Sequence, residues 1–415
     1  MRYTDKVVGE TILRDRTAAG MDCYYYPKKG CREKFAAVTV DFGAQMLSFL
    51  PEGETKAEHF LPGTAHFLEH KLFQQPWGDA FSRLQQNGAE ANAFTDGRKT
   101  VYYFSCRERF YENLEILLDF VSTPYFPEED VKKERAVIKS EIAMYDDLPQ
   151  WAGYYQMLEM MYEHHPVKYP IAGKAQSVDQ IDSSMLYRAY EVAYTPSRLS
   201  LVCAGGIHPK QIQEMAEGMK GGGCRGSFVF AREPEVICER YRERHMDQTV
   251  PYVHVGWKWK PWSFLPEDRL VMELLLDAWA GPGSEFWRKA DAGGKMDMPP
   301  GRLCEWGEGY GFCAFSGACL QPEELAEGLM AAWKNLAHGG LSEDMFQRLK
   351  KKQIGRMIRL FSTAESAALA QVDWLPWKVD LGQALRMAKG LRREQAEKML
   401  QNTISEDKMV LSVIR

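Results

Sequence analysis

The order of predicted strands and helices in the first half of the chain recurs in the second half. In the first half an apolar strand, FAAVTV, precedes a helix pattern around His66, the segment AFSRLQQNG, a strand pair and two longer helix patterns. In the second half VPYVHVGWK, EDRLVMELLLDAWAG, SEFWRKADAGG, GYGFCAFSGACL and two helix patterns follow in the same order. Because a repeated supersecondary unit predicts a repeated structure, we expect two similar α+β domains.

A glycine-rich segment separates the two copies. It reads MKGGGCRG and includes Gly221–Gly223, which is typical of a flexible connection. The repeat and this segment predict a first domain at 1–217, a linker at 218–240 and a second domain at 241–415.

The composition argues against several classes of partner. The formal net charge of −5 over 415 residues gives no basis for binding nucleic acid or an anionic membrane. Charged residues interrupt the first 20 residues, and no apolar run of about 18 residues occurs, so we expect neither a signal peptide nor a spanning helix. Nine scattered cysteines without a CxxC pair favour a reduced, cytoplasmic protein.

The segment Gly63-Thr-Ala-His-Phe-Leu-Glu-His70 is the strongest local motif. His66 and His70 are four residues apart, so on a helix both imidazoles share one face and can bind one Zn²⁺. Glu69 lies beside that face, within reach of a water on the metal. This is the inverted HxxEH signature of inverzincins, and we expect Glu69 to reach the water rather than the metal itself.

A catalytic zinc site needs a third protein ligand and one open position. The helix pattern ERAVIKSEI offers Glu134 and Glu141, which are seven residues apart and therefore share a face. One can bind the metal while the other supports a ligand from behind. Taken without the histidines, both would be ordinary exposed glutamates.

Four segments in the same order make the resemblance to a known family explicit: GTAHFLEHKLF, NGAEANAFTDGRKTVYYF, ERAVIKSEI and YTPSRLSLVCAGG. The chain resembles the pitrilysin/insulinase/mitochondrial processing peptidase family of inverzincin zinc metallopeptidases, as a short two-domain bacterial-type member. The resemblance implies two homologous α/β-sandwich-like domains, each a mixed or antiparallel sheet flanked by helices, which together form half of a clamshell.

The resemblance also implies roles for individual residues. His66, His70 and Glu141 would bind one Zn²⁺ per chain, Glu69 would act as the base, and Glu134 would support the site. The strand Asn92-Ala93-Phe94-Thr95 would pair with an extended peptide substrate, consistent with the general physics of β-strand addition. The implied activity is that of an endopeptidase acting inside a closed chamber.

The second copy lacks this chemistry. Aligning PEED with LSED puts Arg348 opposite Glu134 and Gly355 opposite Glu141. The resemblance implies an inactive second domain that contributes an Arg and a Tyr to substrate binding, but the usual segment for that pair is absent. Arg288, Arg302 and Tyr310 are candidates, and ordinary packing roles are equally compatible with them. At this length the resemblance also implies a homodimer or a heterodimer with a related subunit.

Two alternatives remain open from the sequence. The chain could be a non-catalytic or partner-dependent subunit of a heterodimeric peptidase, although the intact motif and both glutamates argue against it. It could also be a zinc or iron lyase that uses the same inverted motif, which requires a cysteine near the metal. No cysteine has a spacing that indicates such a role.

Overall fold

The computed structural model of the protein describes residues 2–4, 8–219, 223–259, 265–294, 296 and 298–415. The glycines Gly221 and Gly222 of the predicted linker lie outside these residues. The strands are β1 (Arg2–Thr4), β2 (Thr11–Arg16), β3 (Asp22–Pro27), β4 (Lys34–Val40), β5 (Ser48–Pro51), β6 (Glu58–His59), β7 (Gln74–Gln75), β8 (Gly78–Asp79), β9 (Glu90–Thr95), β10 (Thr100–Cys106), β11 (Leu199–Gly205), β12 (Gly226–Phe228), β13 (Tyr241–Arg244), β14 (Tyr252–Lys258), β15 (Gly301–Gly307), β16 (Tyr310–Ala318) and β17 (Met409–Ile414).

Helices lie between some of these strands, and turns or loops join the others. The α-helices are α1 (Thr64–Leu72), α2 (Ala80–Gln86), α3 (Phe110–Ser122), α4 (Glu128–Asp146), α5 (Pro149–Met161), α6 (Ala175–Val178), α7 (Ser183–Ala193), α8 (Pro209–Glu217), α9 (Pro266–Ala280), α10 (Glu285–Ala292), α11 (Pro322–Gly339), α12 (Glu343–Leu360), α13 (Ala364–Trp374), α14 (Leu381–Gly390) and α15 (Arg393–Asn402). The described residues also form 3-10 turns at Pro166–Lys168, Pro196–Arg198, Leu375–Trp377 and Glu406–Lys408.

The chain divides into two compact units. Unit 1 consists of Met1–Ile142, Tyr169–Val229 and Met357–Ala384, and unit 2 consists of Ala143–Lys168, Phe230–Arg356 and Leu385–Arg415. The predicted domains at 1–217 and 241–415 differ from these units at 143–168 and 357–384, and the predicted linker 218–240 is divided between the two units after Val229. The physical reason lies in two helices, α5 and α13.

Unit 1 is built on a mixed sheet with the strand order β1-β2-β3-β11-β4-β10-β9. The pair β11–β3 is parallel, and the other neighbours are antiparallel. The strand β4 reads KFAAVTV and is buried along almost its whole length, as expected for a central strand covered on both faces. The strand β9 is the last of the order, so it forms an edge of the sheet.

Unit 2 repeats this arrangement with the strand order β13-β17-β14-β16-β15. Its parallel pair, β13–β17, corresponds to β3–β11 of unit 1, and its remaining neighbours are antiparallel. The prediction of two similar α+β folds, each with a mixed sheet and flanking helices, is confirmed.

Each sheet is covered in part by a helix from the other half of the sequence. Helix α5, from the first half, packs on β14 and β17 of unit 2. Helix α13, from the second half, packs on β4 and β11 of unit 1. The buried side of α13 includes Ala367, Val372 and Trp374, so this contact removes apolar surface from water and stabilises the sheet of unit 1.

Helix α9 of unit 2 is anchored by a cluster of large aromatic side chains. The ring of Trp279 lies 4.8 Å from that of Trp257 and 4.5 Å from that of Trp333, measured between centroids. The indole Nε1–H of Trp279 donates to the carbonyl of Leu329 at 2.7 Å. All three indoles are buried, so the end of α9 is held firmly against the sheet.

Candidate metal centre

The HxxEH motif lies on α1, a short helix that is buried along most of its length. Gly63 begins the helix with a φ of 98°, in the left-handed region. A Cβ at this position would lie 2.6 Å from the carbonyl oxygen of Ala172, so only glycine allows this close approach. Helix α1 contacts α7 and β9, which fix the direction in which its polar side chains point.

The structure brings together the three predicted ligands. His66 and His70 lie one turn apart with ring centroids 4.5 Å from each other. The Nε2 atom of His66 lies 3.6 Å from Oε1 of Glu141, and the Nε2 atom of His70 lies 3.5 Å from Oε2 of the same carboxylate. One ligand atom from each of the three residues can be chosen so that all lie within 4.8 Å of one another.

These distances fit a small tetrahedral ion better than direct hydrogen bonds. Ligand atoms about 2.0–2.1 Å from a tetrahedral zinc lie about 3.3–3.4 Å from each other. The nitrogen–oxygen distances of 3.5 and 3.6 Å are close to that value and are at or beyond the limit of a hydrogen bond. Burial lowers the pKa of His66 to about 3, aided by the neighbouring His70, which keeps its imidazole neutral as metal binding requires.

Glu134 holds His70 from the side opposite Glu141. Its Oε1 lies 3.0 Å from Nδ1 of His70, so the imidazole can donate there and leave Nε2 free for a metal. This hydrogen bond lowers the pKa of Glu134. The amide Nε2 of Gln74 donates to the other oxygen of Glu134 at 3.2 Å, and Lys71 in turn donates to Gln74.

The roles of Lys71 and Gln74 were not predicted from the sequence. Gln74 is four residues after His70, and this spacing is a signal that could have placed it next to the motif. The hydrogen bond between Gln74 and Glu134 also depends on the position of α4. Arg135 of α4 donates from Nε to the carbonyl of Ile181 at 2.9 Å and so helps to hold this helix in place. That contact joins segments far apart in the sequence, so the local pattern alone does not reveal it.

Glu69 is buried and hydrogen-bonded to the end of the edge strand. The hydroxyl of Thr95 donates to its Oε2 at 2.6 Å. Burial raises the pKa of Glu69, and the hydrogen bond from Thr95 opposes that shift. A carboxylate with a raised pKa is suited to accepting and returning a proton near neutral pH.

The predicted substrate strand lies in β9, beside this carboxylate. Asn92 and Phe94 pair with Tyr103 and Val101 of β10, so one side of the strand is engaged in the sheet. Among the described strands the other side of β9 has no neighbour in the sheet order. An edge of this kind can accept a further extended strand.

The corresponding helices of unit 2, α9 and α12, meet through ion pairs. Asp277 on α9 accepts from Arg356 at 3.2 Å, and Nζ of Lys352 lies 2.8 Å from the same oxygen as an ion pair. Arg302 lies 3.1 Å from the other oxygen of Asp277, as an ion pair without hydrogen-bond geometry. Gly355 stands where the sequence repeat places Glu141, and a Cβ added there would meet nothing within 4 Å.

The three candidates for substrate contact in the second copy have different environments. Arg302 is paired with Asp277, as described above. Tyr310 is buried, with its ring centroid 4.7 Å from that of His165. Arg288 is exposed on α10. Contact of any of them with a substrate stays a prediction.

Comparison with known proteins places the chain in a family. The sequence profile described as Insulinase (Peptidase family M16) matches residues 49–175, and that described as Peptidase M16 inactive domain matches residues 180–353. YmfH of Bacillus subtilis (strain 168), named an uncharacterized zinc protease, is 32% identical over 97% of this chain and 96% of its own length. The chain belongs to peptidase family M16, the insulinase family.

Two further similarities agree with this membership in M16. AlbF of Bacillus subtilis (strain 168), named a putative zinc protease, is 34% identical over 50% of this chain and 45% of its own length. The crystal structure of a putative M16-like peptidase from Alicyclobacillus acidocaldarius has a TM-score of 0.91 and 27% identity, and the match covers 98% of each chain. The predicted resemblance and fold are therefore confirmed. No helix within the described part of the chain is long and apolar enough to cross a bilayer.

Proposed function

We propose that this M16 protein is a zinc-dependent endopeptidase whose metal ligands are His66, His70 and Glu141. The observation that carries the proposal is the convergence of these three side chains from α1 and α4 on one small volume, with both imidazole Nε2 atoms facing one carboxylate. The names of the relatives, which include zinc proteases, support zinc as the metal. We expect one Zn²⁺ per chain.

When bound, zinc would supply a Lewis acid that lowers the pKa of water toward about 7 and polarises the scissile carbonyl. The protein supplies the rest. The Glu69 carboxylate accepts the proton of the attacking water and returns it to the leaving amine nitrogen. Thr95 orients this carboxylate, and Glu134 holds the tautomer of His70 in which Nε2 is free.

The substrate in this proposal is an extended peptide that adds to β9. Backbone groups of Asn92, Ala93 and Phe94 would form ladder hydrogen bonds with the peptide, which give affinity without reading side chains. Because Thr95 at the end of β9 contacts Glu69, a peptide in register on this edge would bring a carbonyl close to the base.

The decisive experiment compares two carboxylate-to-amide variants. Glu69→Gln should lower kcat on an internally quenched peptide by about 10²–10⁴-fold while zinc content stays at one per chain, because only the proton acceptor is lost. Glu129→Gln removes an exposed carboxylate of α4 and should leave both unchanged. A chelator should abolish the wild-type activity, and zinc should restore it.

Near wild-type cleavage by Glu69→Gln would remove Glu69 from the role of base. A wild-type protein that binds zinc but cleaves no peptide, alone or with a related subunit, would favour the non-catalytic alternative. Retention of activity in a cysteine-free variant would exclude lyase chemistry, which requires a cysteine at the metal.

We also propose a cytoplasmic location and an assembly of two related chains that enclose a chamber for the peptide. Both follow from the sequence and the family resemblance rather than from any contact within the chain. Cell fractionation tests the first, and light scattering of the purified protein tests the second. A monomeric mass together with full activity would contradict the assembly.

A further inference from the structure

Gln74 lies between a buried cation and the glutamate that supports His70. Its Nε2 donates to Oε2 of Glu134 at 3.2 Å, and its Oε1 accepts a hydrogen bond from Nζ of Lys71. Lys71 is fully buried on α1, and Gln74 begins β7 just after the end of this helix. These residues belong to unit 1, as do the predicted metal ligands. A neutral amide therefore joins two opposite charges directly behind the metal centre.

The two partners of Gln74 fix the direction of its side-chain amide. The ammonium group of a lysine only donates hydrogen bonds, whereas an ionised carboxylate only accepts them. Turning the amide over would leave two acceptors facing each other at Glu134 and two donors facing each other at Lys71. Because Lys71 is buried, its ammonium group cannot turn to water instead, and a buried polar group without a partner is costly. Lys71 thus keeps the donor of Gln74 directed at Glu134.

With Gln74 in this position, both oxygens of Glu134 are engaged. Oε1 lies 3.0 Å from Nδ1 of His70, and Oε2 accepts from Gln74. The carboxylate cannot rotate without breaking one of these contacts, so Oε1 continues to select the tautomer of His70 with its proton on Nδ1. The other tautomer would carry the proton on Nε2, which lies 3.5 Å from Oε2 of Glu141, and would remove the lone pair that a metal needs.

We infer that Gln74 is a positioning residue of the metal centre, which acts through Glu134 to keep Nε2 of His70 available to the ion. The inference rests on the proposed function, because it takes His70 as a metal ligand. A hydrogen bond to a charged group is stronger than one between neutral groups, so its loss should be measurable as a change in metal affinity. The change should be smaller than that caused by removing Glu134, since the direct contact with His70 remains.

Gln75 provides a matched comparison within the same strand. Its Nε2 donates to the carbonyls of Leu72, Phe120 and Thr123 at 2.9, 3.3 and 3.0 Å. These acceptors are backbone groups, so this amide joins α1 to the end of α3 and supports no metal ligand. Gln75→Met should lower the midpoint of thermal unfolding but leave the zinc affinity within about twofold of the wild type.

The test measures zinc affinity by competition with a chelator dye in the wild type, Gln74→Met, Glu134→Ala and the double variant. Gln74→Met should weaken zinc binding by about 3–10-fold. In the Glu134→Ala background the same change should alter the affinity by no more than about twofold, because the residue through which it acts is absent. Gln74→Met should fold, since Gln74 is half-buried and the charges of Asp130 and Glu134 still act on Lys71.

A second measurement follows the imidazole itself. In zinc-loaded protein with isotopically labelled histidine, the proton on Nδ1 of His70 gives a nuclear magnetic resonance signal, which Glu134→Ala identifies by its shift or loss. In Gln74→Met this proton should exchange faster with water, because Glu134 holds it less firmly. In Gln75→Met it should exchange as in the wild type, which a merely structural role of both glutamines would not produce.

The outcomes separate the inference from the proposed function. Unchanged zinc affinity and proton exchange in Gln74→Met overturn the inference and leave the peptidase intact. Additive losses in the double variant also overturn it, because Gln74 would then act by a route other than Glu134, and so do equal losses of affinity in Gln74→Met and Gln75→Met. If zinc binding follows the expected pattern but no peptide is cleaved, the proposed function fails and the inference stands. A wild-type protein that takes up no zinc would overturn both.

Discussion

Helices α1 and α4 of unit 1 and helices α9 and α12 of unit 2 follow the same order in the two sequence copies, but they meet through opposite chemistry. In unit 1, two imidazoles and a carboxylate converge, so their nitrogen and oxygen ligand atoms face one point where a cation can bind. In unit 2, Asp277 is surrounded by Arg302, Lys352 and Arg356, so the cations come from the protein itself. The fold is shared, whereas the function depends on which side chains the helices carry.

The ion pairs of Asp277 also contribute to the packing of the second copy. In unit 2, the ion pairs of Asp277 with Lys352 and Arg356 join α9 and α12 without a metal. The predictions below test this contrast.

The largest effect is expected for Glu141→Ala. Loss of one of three protein ligands should weaken zinc binding by more than the 10–100-fold typical of changes behind the ligands. Metal analysis after dialysis measures this. Full zinc retention would show that Glu141 of α4 does not hold the metal. The presence of Gly355 at the corresponding position of unit 2 would then not explain a difference in zinc binding between the units.

A smaller loss is expected for Glu134→Ala. Without its hydrogen bond at 3.0 Å, His70 is less well oriented, and zinc affinity should fall by about 10–100-fold. Competition with a chelator dye gives the affinity of both variants. If Glu134→Ala loses more zinc than Glu141→Ala, the two glutamates exchange roles.

In unit 2, Asp277→Ala should lower the free energy of unfolding by about 1–3 kcal/mol, because three cations lose their common carboxylate. Urea unfolding of zinc-loaded protein measures the change. The zinc content should stay at one per chain, since Asp277 belongs to the unit without the ligands. An unchanged midpoint would mean that the ion pairs of Asp277 do not stabilise unit 2.

Thr95→Val should reduce kcat by about tenfold with zinc retained, because a hydrogen bond to a charged group is lost. Thr95→Ser keeps the hydroxyl and should recover most of the rate. Equal activity of the Val and Ser variants would show that Thr95 only packs beside Glu69.

The smallest effect is expected for Gly355→Ala. Alanine favours a helix interior over glycine, and the added Cβ meets nothing within 4 Å, so stability should rise by about 0.5–1 kcal/mol. Thermal unfolding measures this gain. A loss of stability would indicate that glycine is required at the position opposite Glu141.

Much of the candidate site could be predicted from residue spacing. His66 and His70 share a helix face by periodicity alone, and the seven-residue spacing of Glu134 and Glu141 placed both on one side of α4. The structure brings these residues together. Assigning Glu141 rather than Glu134 to the metal required the family resemblance, and it stays a prediction.

The sequence could not show which sheet a helix covers. The pattern of α5 indicates a buried helix, but its burial against β14 depends on strands about 100 residues later. The same applies to Thr95, which was predicted as part of a peptide-binding strand. Its hydroxyl contact with Glu69 follows from the packing of α1 on β9, which no local pattern encodes.

The exchange of α5 and α13 has a consequence for synthesis of the protein on the ribosome. The sheet that supports the HxxEH helix gains the cover of α13 on β4 and β11 only after Trp374 has been translated. A nascent chain that stops before Ala364 therefore lacks the α13 cover of β4 and β11, so the sheet that carries the motif helix should complete its packing late in translation.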